Sequence, residues 1–198
     1  ASDEKVYDGT PLFNHRYRIS KGSLVTGHSV EIIVIGSQTN VGNSANTILE
    51  DASIWDGGID VTENYEITYV YGTLSVTKRQ ITIQTVNAEK VYDGMPLFND
   101  EYDITEGLLV SWHHVGVTSY VSIINVGECE NKLVIHIYDN DNGNDVTDNY
   151  EITYEYGTLK IAKRQITIQT ADAEKAYDGI PLFYHGYDIT EGSLVSWH

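Results

Sequence analysis

A single cysteine, Cys129, is all the sequence holds, so no intramolecular disulfide can brace the fold. Small secreted domains often depend on such cross-links, and this chain must do without them. Basic side chains are scarce as well: 12 Lys and Arg against 29 Asp and Glu give a net charge of -17. The acidic residues are spread along the chain rather than gathered in a tail. Such a surface repels phosphate backbones and anionic lipid, which excludes nucleic acid and direct membrane contact as readings. There is one methionine, and no segment sustains a 3.6-residue apolar period. No signal peptide, membrane span or wall-anchoring motif is visible, and any such segment is expected to lie outside this stretch. Nor is there a Ser-His-Asp order, a Gly-rich phosphate loop or a recurring pair of catalytic carboxylates, so a non-enzyme is expected.

What the sequence does have is a repeat. Tyr-Asp-Gly occurs at Tyr7-Asp8-Gly9, Tyr92-Asp93-Gly94 and Tyr177-Asp178-Gly179, 85 positions apart each time. Pro11-Leu12-Phe13 returns at Pro96-Leu97-Phe98 and Pro181-Leu182-Phe183, and these hold the only three prolines. Asn64-Tyr65-Glu66-Ile67-Thr68-Tyr69 returns at residues 149–154, Tyr71-Gly72-Thr73-Leu74 at 156–159, and residues 78–85 at 163–170. Residues 164–198 match 79–113 at 27 of 35 positions, with no insertion or deletion. The chain reads as a slice of a tandem array, ending at Trp197-His198 inside a third copy.

Within one copy the pattern is that of strands. Fifteen tyrosines and abundant Ile, Val and Thr favour them, and 41% hydrophobic residues exclude a disordered chain. In the second copy, Gln80-Ile81-Thr82-Ile83-Gln84-Thr85 alternates polar and apolar residues, the period of a half-buried strand. Lys90-Val91-Tyr92 is a short strand ended by the Asp93-Gly94 turn. Further strands are expected at 102–104, 108–110, 115–124, 132–138, 150–156 and 158–162, with a polar loop at 139–145. Turn signals every 8–12 residues predict an all-β fold of small antiparallel domains, an Ig-like β-sandwich. A β-grasp unit is the alternative, but it needs a crossover helix, for which residues 100–110 are the one candidate.

The charged pairs Lys78-Arg79 and Lys163-Arg164 mark the expected borders, giving residues 1–78, 79–163 and 164–198. A linker without Gly or Ser is no floppy tether, so successive domains should form a rod. On these borders the first copy lacks its opening strand, while residues 165–170 carry one without the rest of a domain. Head-to-tail strand complementation between copies of the chain is therefore expected; the alternative is a border after Thr85 and Thr170, which makes two complete domains with an ordered tail.

Three groups of side chains invite a chemical reading. Asp139-Asn140-Asp141-Asn142-Gly143-Asn144-Asp145 has the oxygen density of a calcium loop, with Asp139, Asp141 and Asp145 as candidate ligands. Against this, the Gly sits one place early, and Tyr150 stands where a closing Glu belongs. At the spacing of 85, the first copy has Ile54 for Asp139 and Trp55 for Asn140, while keeping Asp56 and Asp60. No other cofactor is suggested. His28, His113 and His198 share one repeat position, with His114 beside the second, and one recurring histidine per copy falls short of a zinc set. Tyr65, Tyr69 and Tyr71, with Tyr150, Tyr154 and Tyr156, lie at spacings of two or four and could offer an aromatic face to sugar rings. The competing reading puts the same tyrosines at the rim of a sandwich core.

Taken together, Ile-Thr-Ile, Lys-Val-Tyr-Asp-Gly-x-Pro-Leu, Val-Gly, Asp-Val-Thr-x-Asn-Tyr-x-Ile-Thr-Tyr and Tyr-Gly-Thr-Leu-x-Ile resemble the MBG domain of the YGX type. The YDG-type repeats of large bacterial surface proteins are similar. The resemblance spans both complete copies and the partial third. It implies a secreted or cell-surface location, with wall or membrane anchoring through other segments, in an adhesin-like protein. It brings no catalytic residues. Host glycan, mucin or surface protein is the partner class it implies. Lys–Asn isopeptide bonds occur in some surface domains of this kind, and Lys5 with Asn64 and Lys90 with Asn149 are the pairs that recur here.

Overall fold

The computed structural model describes residues 1–195. The first copy holds β1 (Asp3–Val6), β2 (Leu12–Phe13), β3 (His28–Glu31), β4 (Ser37–Gln38), β5 (Gly42–Asn46), β6 (Ser53–Asp56), β7 (Ile59–Asp60) and β8 (Gly72–Thr77). The second holds β9 (Arg79–Thr85), β10 (Ala88–Val91), β11 (Tyr102–Gly107), β12 (His113–Tyr120), β13 (Gly127–Glu130), β14 (Leu133–Asp139), β15 (Tyr150–Glu155) and β16 (Thr158–Ala162). β17 (Thr167–Thr170) and β18 (Tyr187–Glu191) follow. Among the described residues the only helical turns are of the 3-10 type, at Thr62–Asn64 and Thr147–Asn149. The fold is all-β. Residues 100–110, the candidate crossover helix, form β11 and a following loop, so the β-grasp alternative loses its helix and residues 108–110 form no strand.

The chain divides into two compact units that do not follow single copies. Unit 1 takes Ala1–Ile83, Ile104–Gly116 and His136–Thr153; unit 2 takes Gln84–Asp103, Val117–Ile135 and the chain from Tyr154 on. In unit 1, β8 is the centre of a three-stranded sheet. β1 lies parallel on one side, with Asp3 opposite Leu74, and β5 antiparallel on the other, with Gly42 opposite Val76. The same sheet recurs in unit 2 around β16, with β10 parallel and β13 antiparallel. The sheets are thus mixed, where turn spacing alone suggested purely antiparallel pairing. In each copy the last strand returns to lie beside the earlier Glu-Lys-Val strand, β1 or β10, in the same direction, which makes the pair parallel.

Period-2 alternation decides which side chains enter the core. Leu74 and Val76 on β8 are buried, and so are their counterparts Leu159 and Ile161 on β16. Ile54 on β6 and Ile137 on β14 are buried in unit 1, as are Ile81 and Ile83 on β9. An asparagine bolts each copy. In unit 2 the side-chain amide of Asn131 donates to the Val86 carbonyl (2.9 Å), while the backbone carbonyl of Asn131 accepts the Thr85 hydroxyl (2.7 Å). In unit 1 Asn46 donates in the same way to the Ala1 and Asn14 carbonyls.

The gapless repeat conceals a shift. In the first copy the Ile54 N–H donates to Thr62 Oγ1, and in the second the Ile137 N–H donates to Thr147 Oγ1, both at 2.8 Å. The threonines stand 85 residues apart but the isoleucines only 83. The second copy therefore has two residues more in its hairpin, between Tyr138 and Asp145, and two fewer before the strand. The first copy turns tightly through Gly57-Gly58, both at positive φ (52° and 100°), as a two-residue hairpin requires. In space Asp56 is the counterpart of Asp139, and Trp55 of Tyr138. The pairing of Asp139 with Ile54 read from the spacing of 85 is corrected accordingly.

Candidate functional site

The Tyr-Asp-Gly turn is built alike in all three copies. Lys5 Nζ binds Asp8 Oδ1 (2.6 Å), Lys90 binds Asp93 (2.7 Å) and Lys175 binds Asp178 (2.7 Å). The same carboxylate oxygen accepts the backbone N–H two residues on, at Thr10, Met95 and Ile180. Burial works to raise the Asp8 pKa, but the Lys5 ammonium with the Thr10 amide and hydroxyl outweighs it and holds the acid at about 2. The turn fixes the backbone directly after the tyrosine in each copy.

In unit 1 the tyrosine can be followed. Tyr7 is 2% exposed. Its ring meets Tyr150 edge-on at 5.8 Å and His113 at 6.0 Å. Gly9, at φ +79°, lies so near Trp112 that an added Cβ would stand 2.6 Å from the indole. Arg79 crosses this joint, donating from Nε to the Leu108 carbonyl and from its guanidinium to the Tyr7 carbonyl (3.4 Å). The Val41 N–H donates to Asn149 Oδ1 (2.8 Å). Residues of the first copy thus seat in residues of the second. In unit 2 Arg164 repeats the clasp on the Ser193 and Tyr92 carbonyls.

Tyr150 and Tyr65 are corner residues. The Tyr150 hydroxyl accepts the Val110 N–H (3.0 Å) and shares a hydrogen bond with His113 Nδ1 (2.8 Å). His113 Nε2 is buried without a hydrogen-bond partner among the described residues. Tyr65 makes the same pair of contacts with Val25 and His28. The difference is cover: Tyr150 is 3% exposed beneath Tyr7, whereas Tyr65 is half-buried. A ring so covered offers no face to a sugar.

The remaining candidate tyrosines do come together in pairs. Tyr69 and Tyr71 stack at 6.5 Å with 5° between planes, and Tyr154 and Tyr156 at 5.7 Å with 15°. The Tyr69 hydroxyl accepts the Ala52 N–H, while Tyr71 is 50% and Tyr156 39% exposed. Lys132 Nζ lies 5.3 Å from the Tyr156 ring centre. Tyr156 also borders a groove of about 330 Å³ lined by Gln84, Thr85, Asn87 and Asp103.

In the candidate calcium loop, the Asp139 and Asp145 carboxylates accept hydrogen bonds from nearby residues. Asp139 accepts from the Asp141 N–H and the Asn142 amide. Asp145 accepts from the Thr147 N–H and hydroxyl and pairs with His136 Nδ1 (2.6 Å). The Thr147 hydroxyl foremost, with its amide and His136, holds Asp145 at about 2. Among the described residues no three His, Cys, Asp or Glu gather in metal-binding geometry. His114 bonds Asn140 and His28 faces Asp56; His198 and Trp197 lie outside the described residues. Lys5 gives its three donor contacts to Asp8 and Thr10, and the Asn64 amide donates to the Val61 carbonyl. Lys90 is likewise taken by Asp93 and the Met95 and Pro96 carbonyls, and Asn149 is engaged at the joint.

No protein-family model, curated protein or solved structure matches the chain.

The joint that sequence reading missed is the association of Tyr7 with His113 and Tyr150, since nothing in a repeat says which copy a motif touches. It should respond to pH. Burial lowers the His113 pKa from 6.5, against the opposing pull of the Asp139 charge. A depressed folded-state value means that the unfolded chain takes the proton first. The contribution of neutral His113 is therefore complete above about pH 6.5 and is lost as pH falls from there toward the lower folded value. Denaturation midpoints measured between pH 7.5 and 5 should fall for the wild type and stay flatter for His113→Gln.

Proposed function

We propose that this chain is a non-catalytic repeat module of the MBG (YGX-type) and YDG-type kind, from a bacterial cell-surface, adhesin-like protein. Its work is that of a stalk, anchored through other segments, that holds a distal binding region away from the cell. The observation that carries this reading is the joint in unit 1, where a bracketed tyrosine of one copy is buried by the next. A joint of that kind transmits force and orientation. The Lys-Asp turn recurs in all three copies, and the arginine contact to the tyrosine carbonyl recurs at Tyr7 and Tyr92. The acidic surface, -17 overall, keeps neighbouring stalks apart at high density. The absence of cross-links is offset by extending each small core into its neighbour.

A second reading has an observation of its own. The stacked pair Tyr154 and Tyr156 beside the Gln84, Asn87 and Asp103 groove offers a ring edge, amides and a carboxylate, the groups that take up sugar hydroxyls. Repeated along an array, a weak site of this kind gains by avidity.

Two measurements separate the readings. Small-angle scattering of chains with two, four and six copies should show maximum dimension rising in proportion to copy number; a compact particle contradicts the stalk. In a glycan screen, binding that vanishes on Tyr156→Ala with the fold intact establishes the second reading, and no binding by a six-copy array removes it.

A further inference from the structure

The chain holds four Asp-Gly steps, at Asp8-Gly9, Asp56-Gly57, Asp93-Gly94 and Asp178-Gly179, and one Asn-Gly step, Asn142-Gly143. At such steps a polypeptide can alter its own backbone. The glycine nitrogen, unhindered for want of a Cβ, attacks the side-chain Cγ of the residue before it. Aspartate gives up a water and asparagine an ammonia, and a five-membered imide remains. Water then reopens the ring at one carbonyl or the other. One opening gives aspartate; the other gives isoaspartate, whose main chain runs through the side-chain carbon. By sequence alone Asn142 should react first, because an amide is a better electrophile than an ionised carboxylate, and the four Asp-Gly steps should be equal.

The structure makes them unequal. Exposure does not separate them, since the side chains of Asp8, Asp93 and Asp178 are 47%, 46% and 50% exposed and that of Asp56 is 60%. The difference lies in what ring closure would break. The imide is neutral and one oxygen poorer, so contacts made to the carboxylate as an anion are forfeited. Asp8 Oδ1 holds Lys5 Nζ (2.6 Å), the Thr10 N–H (2.9 Å) and the Thr10 hydroxyl (2.7 Å). Asp93 holds Lys90 and the Met95 N–H, and Asp178 holds Lys175 and the Ile180 N–H. Asn142 is tied at both reacting ends. Its amide donates to Asp139 Oδ2 (3.0 Å) and its side-chain oxygen accepts the Asn144 N–H (2.8 Å). The nucleophile is engaged too, with the Gly143 N–H donating to the Asp139 carbonyl (2.8 Å).

Asp56 has little to lose. Ser53 stands three residues before it, where the other Asp-Gly steps have lysine. Among the described residues its carboxylate meets one charged group, His28 Nε2 at 3.7 Å, and accepts no hydrogen bond. The Gly57 N–H has no backbone partner among them either. A Cβ added at Gly57 or Gly58 would find nothing within 4 Å, so the ring has room to form.

We propose that Asp56-Gly57 is the step at which the folded chain converts to isoaspartate, the other Asp-Gly steps being spared by their Lys-Asp contacts. The change would be felt beyond the turn. An extra main-chain carbon at Asp56 pushes the Asp56–Ile59 and Trp55–Asp60 pairs out of register. Asp60 Oδ1 holds the Thr62 N–H, and the Thr62 hydroxyl takes the N–H of buried Ile54, so the shift reaches the core. The inference stands on turn geometry and not on the stalk reading.

Ageing the 198-residue chain at neutral pH and body temperature tests it. Peptide mapping locates the isoaspartate, and enzymatic methylation of isoaspartyl groups gives the total. A urea-unfolded sample aged in parallel should follow the order set by sequence, Asn142 first. In the folded chain Asp56 should convert several-fold faster than Asp8, Asp93 or Asn142. Asp56→Glu, whose longer side chain cannot close a five-membered ring, should remove most of the folded chain's total. Faster conversion at any of those other steps overturns the proposal, and so does a total that Asp56→Glu leaves unchanged. A folded chain that gains no isoaspartate while the unfolded sample does overturns it as well.

Discussion

The burial of the Tyr7 ring against Tyr150 and His113 is the constraint on which the rest of unit 1 depends. A copy of 85 residues has little interior of its own, and it has no disulfide to compensate. Placing a tyrosine in the neighbour's pocket buries a large side chain, which is worth about 1.5–3 kcal/mol. The edge-on aromatic contact adds about 0.5–1.5 kcal/mol. Everything near the ring serves its placement. Asp8 is fixed by Lys5 and by the Thr10 amide and hydroxyl, Gly9 leaves room for Trp112, and Arg79 holds the Tyr7 carbonyl.

The polar groups around the joint explain why Tyr and His recur together at this place. A buried phenol needs hydrogen-bond partners, and Tyr150 has two, the Val110 N–H that it accepts and His113 Nδ1. Phenylalanine would fill the space but orphan a backbone amide and an imidazole nitrogen. The same pair, Tyr65 and His28, waits in the first copy with less cover. In unit 1 the contact has two halves, Tyr7 from the first copy and the Tyr150–His113 pair from the second.

Much of the architecture was legible in the sequence because its signals are local. Alternation marked β9, β15 and β16 to within a residue or two, and Asp-Gly pairs marked turns that the structure forms. The parallel pairing of β1 with β8 was not legible, because strand direction depends on where a distant segment returns. Equally hidden was the two-residue offset between Ile54 and Ile137. Two compensating length changes leave the spacing of 85 intact outside them, so a gapless match assigned Asp139 the wrong counterpart. Of the candidate site residues, Tyr69 with Tyr71 and Tyr154 with Tyr156 do pair on one face, as spacing two implies. Tyr150 went to the joint instead, because its burial is set by Tyr7, 143 positions away. Asp139 and Asp145 bond within their own hairpin, which oxygen density alone cannot reveal.

A double-mutant cycle between Tyr7→Ala and Tyr150→Leu, read by urea denaturation of the 198-residue chain, tests the joint most directly. If the two rings stabilise one contact, the double variant will be less destabilised than the sum of the singles, by about 0.5–1.5 kcal/mol. Additive losses, agreeing to within about 0.3 kcal/mol, would mean that the two copies do not share this core and would contradict the account.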